Sequence, residues 1–169
     1  MGKCIFIIVL VLSLNTGIIA QSFDGVPIRG NYTELVKIFK SKNFVQTFLD
    51  ESGVILRGKV LDKEVNLIIN FTPKSKQAYS LGLIYDQIKK SDDLRKEYEK
   101  LMKIFLEKYG ANSTSGSNDD FELLSVWNKE GFEVRLGISA NERVVVGYKN
   151  LKNAKLYDKE IIELQKAIF

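Results

Sequence analysis

The sequence predicts an α+β protein in which two helix–β-meander pseudo-repeats form one curved antiparallel sheet with helices on one face. Three observations carry this. Residues 35–42 (LVKIFKSK) match residues 101–108 (LMKIFLEK) at five of eight positions, so one unit is read as used twice. Each stretch leads into apolar alternation at period two, the signature of a strand buried on one side. The alternations also correspond: Val65, Leu67 and Ile69 answer to Val134, Leu136 and Ile138, and Leu81, Leu83 and Tyr85 answer to Val144, Val146 and Tyr148.

In chain order, residues 1–20 read as a signal peptide. Lys3 supplies the positive start, 5–14 is an apolar run too short to span a bilayer, and Ala20 precedes the cut. Cys4 lies far upstream of that cut, so no lipoprotein is expected, and the product is exported to the periplasm or beyond. Residues 21–169 then form a single domain, with repeat one over about 31–86, repeat two over about 91–150 and a C-terminal helix over about 158–169. Glycines and a proline in 23–30 force a turn before the first helix. Asn31 is a fitting N-cap with Glu34 three residues on, and Leu35, Ile38 and Phe39 share a face. Strands follow at 45–49, 54–60, 64–71 and 79–85. In the second unit Ser91, Asp92 and Asp93 open a helix with the stripe Leu94, Tyr98, Leu101, Met102, Phe105 and Tyr109, and Gly110 ends it. Residues 111–120 read as a small polar, mobile loop, and strands follow at 121–128, 131–139 and 143–149. Ile161, Leu164 and Ile168 share a face of the last helix, leaving Ile162 and Phe169 exposed unless they dock on the sheet.

Composition excludes several chemistries. The chain has no histidine, and its one cysteine, Cys4, leaves with the signal peptide. The mature domain therefore has no disulfide, no Cys/His zinc site, no thiol nucleophile and no Ser-His-Asp triad. No cofactor or metal is expected. Asp119, Asp120 and Glu122 make the densest carboxylate cluster, but 116–120 lacks the alternating oxygens around a glycine that a calcium loop needs, so a solvated loop is the reading. Loss of Lys3 leaves 24 basic residues against 21 acidic, a net charge of +3. The basic residues are scattered and alternate with acids, as in the Glu99–Lys103 pair, which argues against a nucleic-acid face. No transmembrane segment is expected after signal cleavage. Three sequons begin at Asn31, Asn70 and Asn112; in an Asn-, Ser- and Thr-rich chain of bacterial type they carry no weight.

The pairing of tandem helix-plus-meander units with an exported, disulfide-free chain resembles the β-lactamase-inhibitor-protein-like architecture. Small outer-membrane assembly lipoproteins use a single such unit. The entry segment 23–30, the helix end Lys108-Tyr109-Gly110 and the tail 148–153 look like a group of uncharacterised exported proteins common in Bacteroidetes, which an Ala20/Gln21 cleavage also suits. The chain departs from the inhibitor type in lacking disulfides and in having one helix per repeat, so no inhibitory residue carries over. The resemblance implies fold and leaves chemistry open.

The expected function is non-catalytic binding of a protein or cell-envelope component through the sheet face that the helices leave open. Trp127, Tyr79 and Tyr85 are the candidate contacts, with Trp127 expected exposed because Asn128 and Lys129 follow it. The alternatives are a small carboxylate-dependent envelope hydrolase, which needs two acids across a cleft, and a purely structural envelope protein.

Overall fold

The computed structural model describes residues 22–23, 26–86 and 91–168. The expected signal peptide, part of the entry segment and Phe169 lie outside them. A short hairpin, β1 (Ser22–Phe23) with β2 (Val26–Pro27), precedes helix α1 (Tyr32–Ser41) and a four-stranded meander: β3 (Val45–Leu49), β4 (Gly53–Val60), β5 (Lys63–Phe71) and β6 (Ala78–Tyr85). Helix α2 (Ser91–Tyr109) then leads into a second meander: β7 (Thr114–Asn118), β8 (Phe121–Lys129), β9 (Phe132–Ser139) and β10 (Arg143–Asn150). Helix α3 (Leu151–Ile168) closes the chain. The eight longer strands make one open antiparallel sheet in the order β3-β4-β5-β6-β10-β9-β8-β7. The two meanders therefore meet through their last strands, with Leu83 opposite Val146 and Gly82 opposite Gly147. The α+β antiparallel class is as the sequence predicts.

Each helix starts and stops for local reasons. The Asn31 side chain accepts from the Thr33 amide at 2.9 Å, satisfying one orphan donor of α1. Leu35, Val36 and Phe39 are its buried stripe, whereas Ile38, expected inward, is 38% exposed. Gly110 ends α2 at φ +74°, a conformation open to glycine, with its amide on the Leu106 carbonyl. Every member of the predicted α2 stripe is buried except Met102, which is half-buried.

One sheet face holds the core. Val54, Leu56, Val65, Leu67, Ile69, Leu81, Leu83, Val134, Leu136, Val144 and Val146 alternate onto it and are at most 2% exposed, packed with the stripes of α1 and α2. Each such side chain contributes about 1.5–3 kcal/mol, so this face dominates stability. A buried Tyr98–Ser125 hydroxyl contact of 2.9 Å fixes α2 on β8.

Two predicted boundaries need correction. Helix α3 begins at 151 instead of about 158, because the Asn150 side chain accepts from the Asn153 amide and caps it there. The expected loop 111–120 contains β7, an edge strand whose five residues are all exposed and which exists by backbone pairing with β8. The two sheet edges differ: β7 is Thr-Ser-Gly-Ser-Asn, while β3 exposes Val45, Phe48 and Leu49.

Helix α3 packs at the strand ends, where Asn153 donates to the Ala78 carbonyl and Tyr157 meets Tyr79 at 4.7 Å. Its Glu160 carboxylate accepts from the Lys74 amide at 2.7 Å and the Ser75 amide at 3.2 Å. Desolvation pushes the Glu160 pKa up, but the Ser75 and Lys74 hydrogen bonds and the Lys74 charge outweigh it and hold the carboxyl below its ordinary range. A depressed folded pKa means that the contact stabilises at neutral pH and is lost as pH falls through the carboxylate range. The expected contribution is about 1 kcal/mol, below the usual range for a hydrogen bond to a charged group because solvent screens the contact at the protein's rim. Amide shifts of Lys74 and Ser75 followed by NMR from pH 7 to 3 should move together, and Glu160→Gln should abolish that step. Unchanged titration in the variant would assign it elsewhere.

Candidate functional site

Period two that buries one face of the sheet delivers the other face to the surface. Across the strands its central row runs Phe48, Ile55, Ile68, Gly82, Gly147, Arg135 and Val126, in register. The adjacent row runs Val45, Arg57, Asn66, Ile84, Val145, Gly137 and Leu124. Ile55, Ile68, Ile84, Val145, Leu124 and Val126 are half-buried, while Phe48 and Val45 are 51% and 66% exposed. An apolar band thus crosses the outer face, interrupted by Arg57, Asn66 and Arg135 within the two rows.

At the seam between the meanders this face sinks into a groove of about 280 Å³ over Gly82 and Gly147. Ile68, Ile84 and Val145 give it apolar walls. Its polar side has Asn70 donating to Ser80 at 2.8 Å, Lys149, and Glu133 paired with Arg135 at 2.6 Å. The two glycines have no backbone reason to be there, since neither has positive φ. A Cβ on Gly82 would meet nothing within 4 Å, and one on Gly147 would meet only the Arg135 Cβ, at 3.6 Å. Gly137 and Gly58 are different: a Cβ there would lie 2.6 Å from the rings of Phe121 and Phe44 respectively, so packing demands glycine.

The sequence-predicted contacts fall elsewhere. Trp127, expected exposed, is fully buried on the inner face, where its Nε1 donates to the Gly110 carbonyl at 2.9 Å. Asn128 and Lys129 did not signal exposure, because at period two Asn128 points to the face opposite Trp127. Tyr85 is also buried on the inner face; desolvation, then the Glu97 charge, pushes its hydroxyl up to about 12. Tyr79 sits at a register shift, half-buried against Tyr157, and burial with the Tyr157 and Asp158 charges raises its pKa. The three do not form one surface.

Asp119, Asp120 and Glu122 are exposed in and beside the β7–β8 turn, where Asn118 accepts from the Asp120 and Phe121 amides. Among the described residues no three His, Cys, Asp or Glu side chains converge on a metal-sized site. Also among the described residues, no helix is long and apolar enough to cross a membrane. Sequence reasoning passed over Gly82 and Gly147. The signal was present as a glycine inside each alternating run, Leu81-Gly82-Leu83 and Val146-Gly147-Tyr148.

Compared with protein-family models, curated proteins and solved structures, the chain matches none.

Proposed function

We propose that this is an exported, non-catalytic binding module, and that a protein or cell-envelope component docks on the outer sheet face at the Gly82–Gly147 groove. The carrying observation is that paired glycine. Glycine inside a strand costs roughly 0.5–1 kcal/mol relative to alanine, and in a sheet it marks a bulge, a bend or the close approach of another backbone. Positive φ and internal crowding are both missing at Gly82, which leaves close approach from outside. The apolar walls supply burial and the polar rim supplies register, the usual division within a binding patch.

Carboxylate chemistry has less support. The groove's own acid, Glu133, is held by Arg135. Asp50, whose carboxylate accepts from the Ser52 and Gly53 amides, is held low, as is Glu160, the reverse of what a general acid needs. Export rests on residues 1–20. The reading of two duplicated units, and with it the inhibitor-like resemblance, rests on the sequence correspondences and on two meanders of equal strand number meeting at equivalent strands.

The test uses residues 21–169 as crosslinking bait against envelope and culture-supernatant fractions of the source organism. One dominant, saturable partner should be captured. Gly82→Arg should abolish capture while shifting the melting temperature by less than about 3 °C, since the site is open. Capture that survives Gly82→Arg would sink the face assignment, and no partner above background would sink the binding reading.

A further inference from the structure

Strand β3 is the unguarded edge of the sheet. Among the described strands it has a neighbour only in β4. Its sequence, Val45-Gln46-Thr47-Phe48-Leu49, contains neither a charge nor a proline, the usual guards of a free edge. Val45 and Phe48 instead stand exposed on the outer face, and Leu49, opposite the core residue Val54, is 48% exposed on the inner. Backbone amides and carbonyls flanked by three large apolar side chains are a template for one more strand.

Two features say which strand fits. The first is a bulge. Gln46 pairs with Leu56 and Phe48 with Ile55, so Thr47 is an extra residue in the ladder. Two residues therefore separate Val45 from Phe48, although both face outward. A regular strand offers one residue across that gap, as β4 does, and leaves one of the two over; a second copy of this chain brings the same two. Laid antiparallel about a two-fold axis normal to the sheet, the second copy sets its Phe48 opposite Val45 on the outer face. It likewise sets its Leu49 opposite Phe44 on the inner face, and the other half repeats both contacts.

The second feature is charge. The same register puts Lys42 opposite Glu51 of the second copy, with the turn that holds Asp50 and Glu51 falling at the start of β3. A groove of about 620 Å³ lies there, lined by Lys42, Asn43, Arg57 and Lys59 among others. Glu64 is 3.6 Å from both Arg57 and Lys59, and Asp86 is 3.4 Å from Arg57. Three cations against these two acids leave this end with one positive charge in excess. Each copy thus offers a basic start and an acidic end, and antiparallel pairing joins start to end at both places.

We propose that this chain forms a two-fold symmetric dimer by antiparallel pairing of β3 with β3 of a second copy. The axis keeps both outer faces on the same side, so the pair presents two Gly82–Gly147 grooves on one surface, and a partner with repeated units would be held at two points. The pairing does not depend on what docks in those grooves.

Sedimentation velocity on the purified protein from about 1 to about 200 μM tests it. An edge of five residues makes a small interface, so a dimer with a Kd of about 10–100 μM is expected. Phe48→Lys should weaken it more than about tenfold, since the ring acts twice in a symmetric pair. The same variant should shift the melting temperature of dilute protein by less than about 3 °C, because the side chain is half-exposed. Lys42→Glu and Glu51→Lys should each weaken self-association about tenfold, because each places like charges together twice. Mixed in equal amounts, these two variants should associate as tightly as the unaltered protein, since every contact in the mixed pair is again lysine opposite glutamate. Lys42 also has a contact within its own chain. The mixture retains that loss and so isolates the contact between copies. A monomer throughout the range would overturn the dimer. Undiminished pairing in Phe48→Lys would overturn its placement on β3, and a mixture no tighter than its components would overturn the antiparallel register.

Discussion

Replacing Trp127 with alanine is expected to lower the unfolding free energy by about 4 kcal/mol and the melting temperature by roughly 12 °C. The indole is fully buried and stacks edge-on against Phe105, with centroids 5.5 Å apart and planes at 71°. Tyr109 approaches it at 6.4 Å and in turn meets Phe132. Truncation would open a void in this aromatic cluster and leave the Gly110 carbonyl, at the end of α2, without its donor. The surrounding side chains lie on a helix and two strands, which collapse poorly, so the cavity term should be near its full size. Trp127→Phe keeps most of the volume and loses the hydrogen bond, so it should cost about 1–2 kcal/mol. Urea unfolding of both variants checks this. A loss below about 1 kcal/mol for Trp127→Ala would mean that the side chain is not the centre of the core.

Gly137→Ala is expected to destabilise by about 3 kcal/mol, at the upper end for overpacking. A Cβ there would lie 2.6 Å from Phe121 Cδ1 and 2.7 Å from the Leu123 carbonyl oxygen. The ring can swing away, but the carbonyl belongs to β8, whose register already shifts between Phe121 and Leu123. Removing the ring in a Gly137→Ala/Phe121→Ala double variant should therefore recover only part of the loss. At Gly82 the same substitution meets no atom and should be neutral or stabilising by a few tenths of a kcal/mol, as alanine generally is over glycine in a strand. Thermal unfolding of the two single variants side by side makes the comparison. Equal effects would show that strand propensity, and not packing, governs both positions.

Most of the fold was legible because apolar alternation carries it: the six strands with a buried face, and the edge strand β3 with its Val45, Phe48 and Leu49, appear within a residue or two of their expected positions. What alternation does not encode was missed. Strand β7 buries no side chain, so nothing in Thr114 to Asn118 marks it apart from a loop; its partner β8 makes it a strand. The start of α3 was legible in principle, since Asn150 and Asn153 form a capping pair, but the stretch read as tail. At the candidate site the error was of another kind. Trp127 and Tyr85 drew attention as aromatics, yet the same period that predicted their strands also assigned them to the core side. The glycines that shape the groove carry no side chain to notice, and their meaning depends on what surrounds them in space.

The unlike edges of the sheet limit how copies of this chain can grow into larger structures. A polymer propagates only if every subunit offers two adhesive ends, one to receive and one to extend. Here the β3 end exposes Val45, Phe48 and Leu49, while the β7 end presents only short polar side chains. The sheet has, in effect, a valence of one. A second copy meeting it at β3 consumes that valence, so edge-to-edge association stops at a pair instead of running on to a fibril.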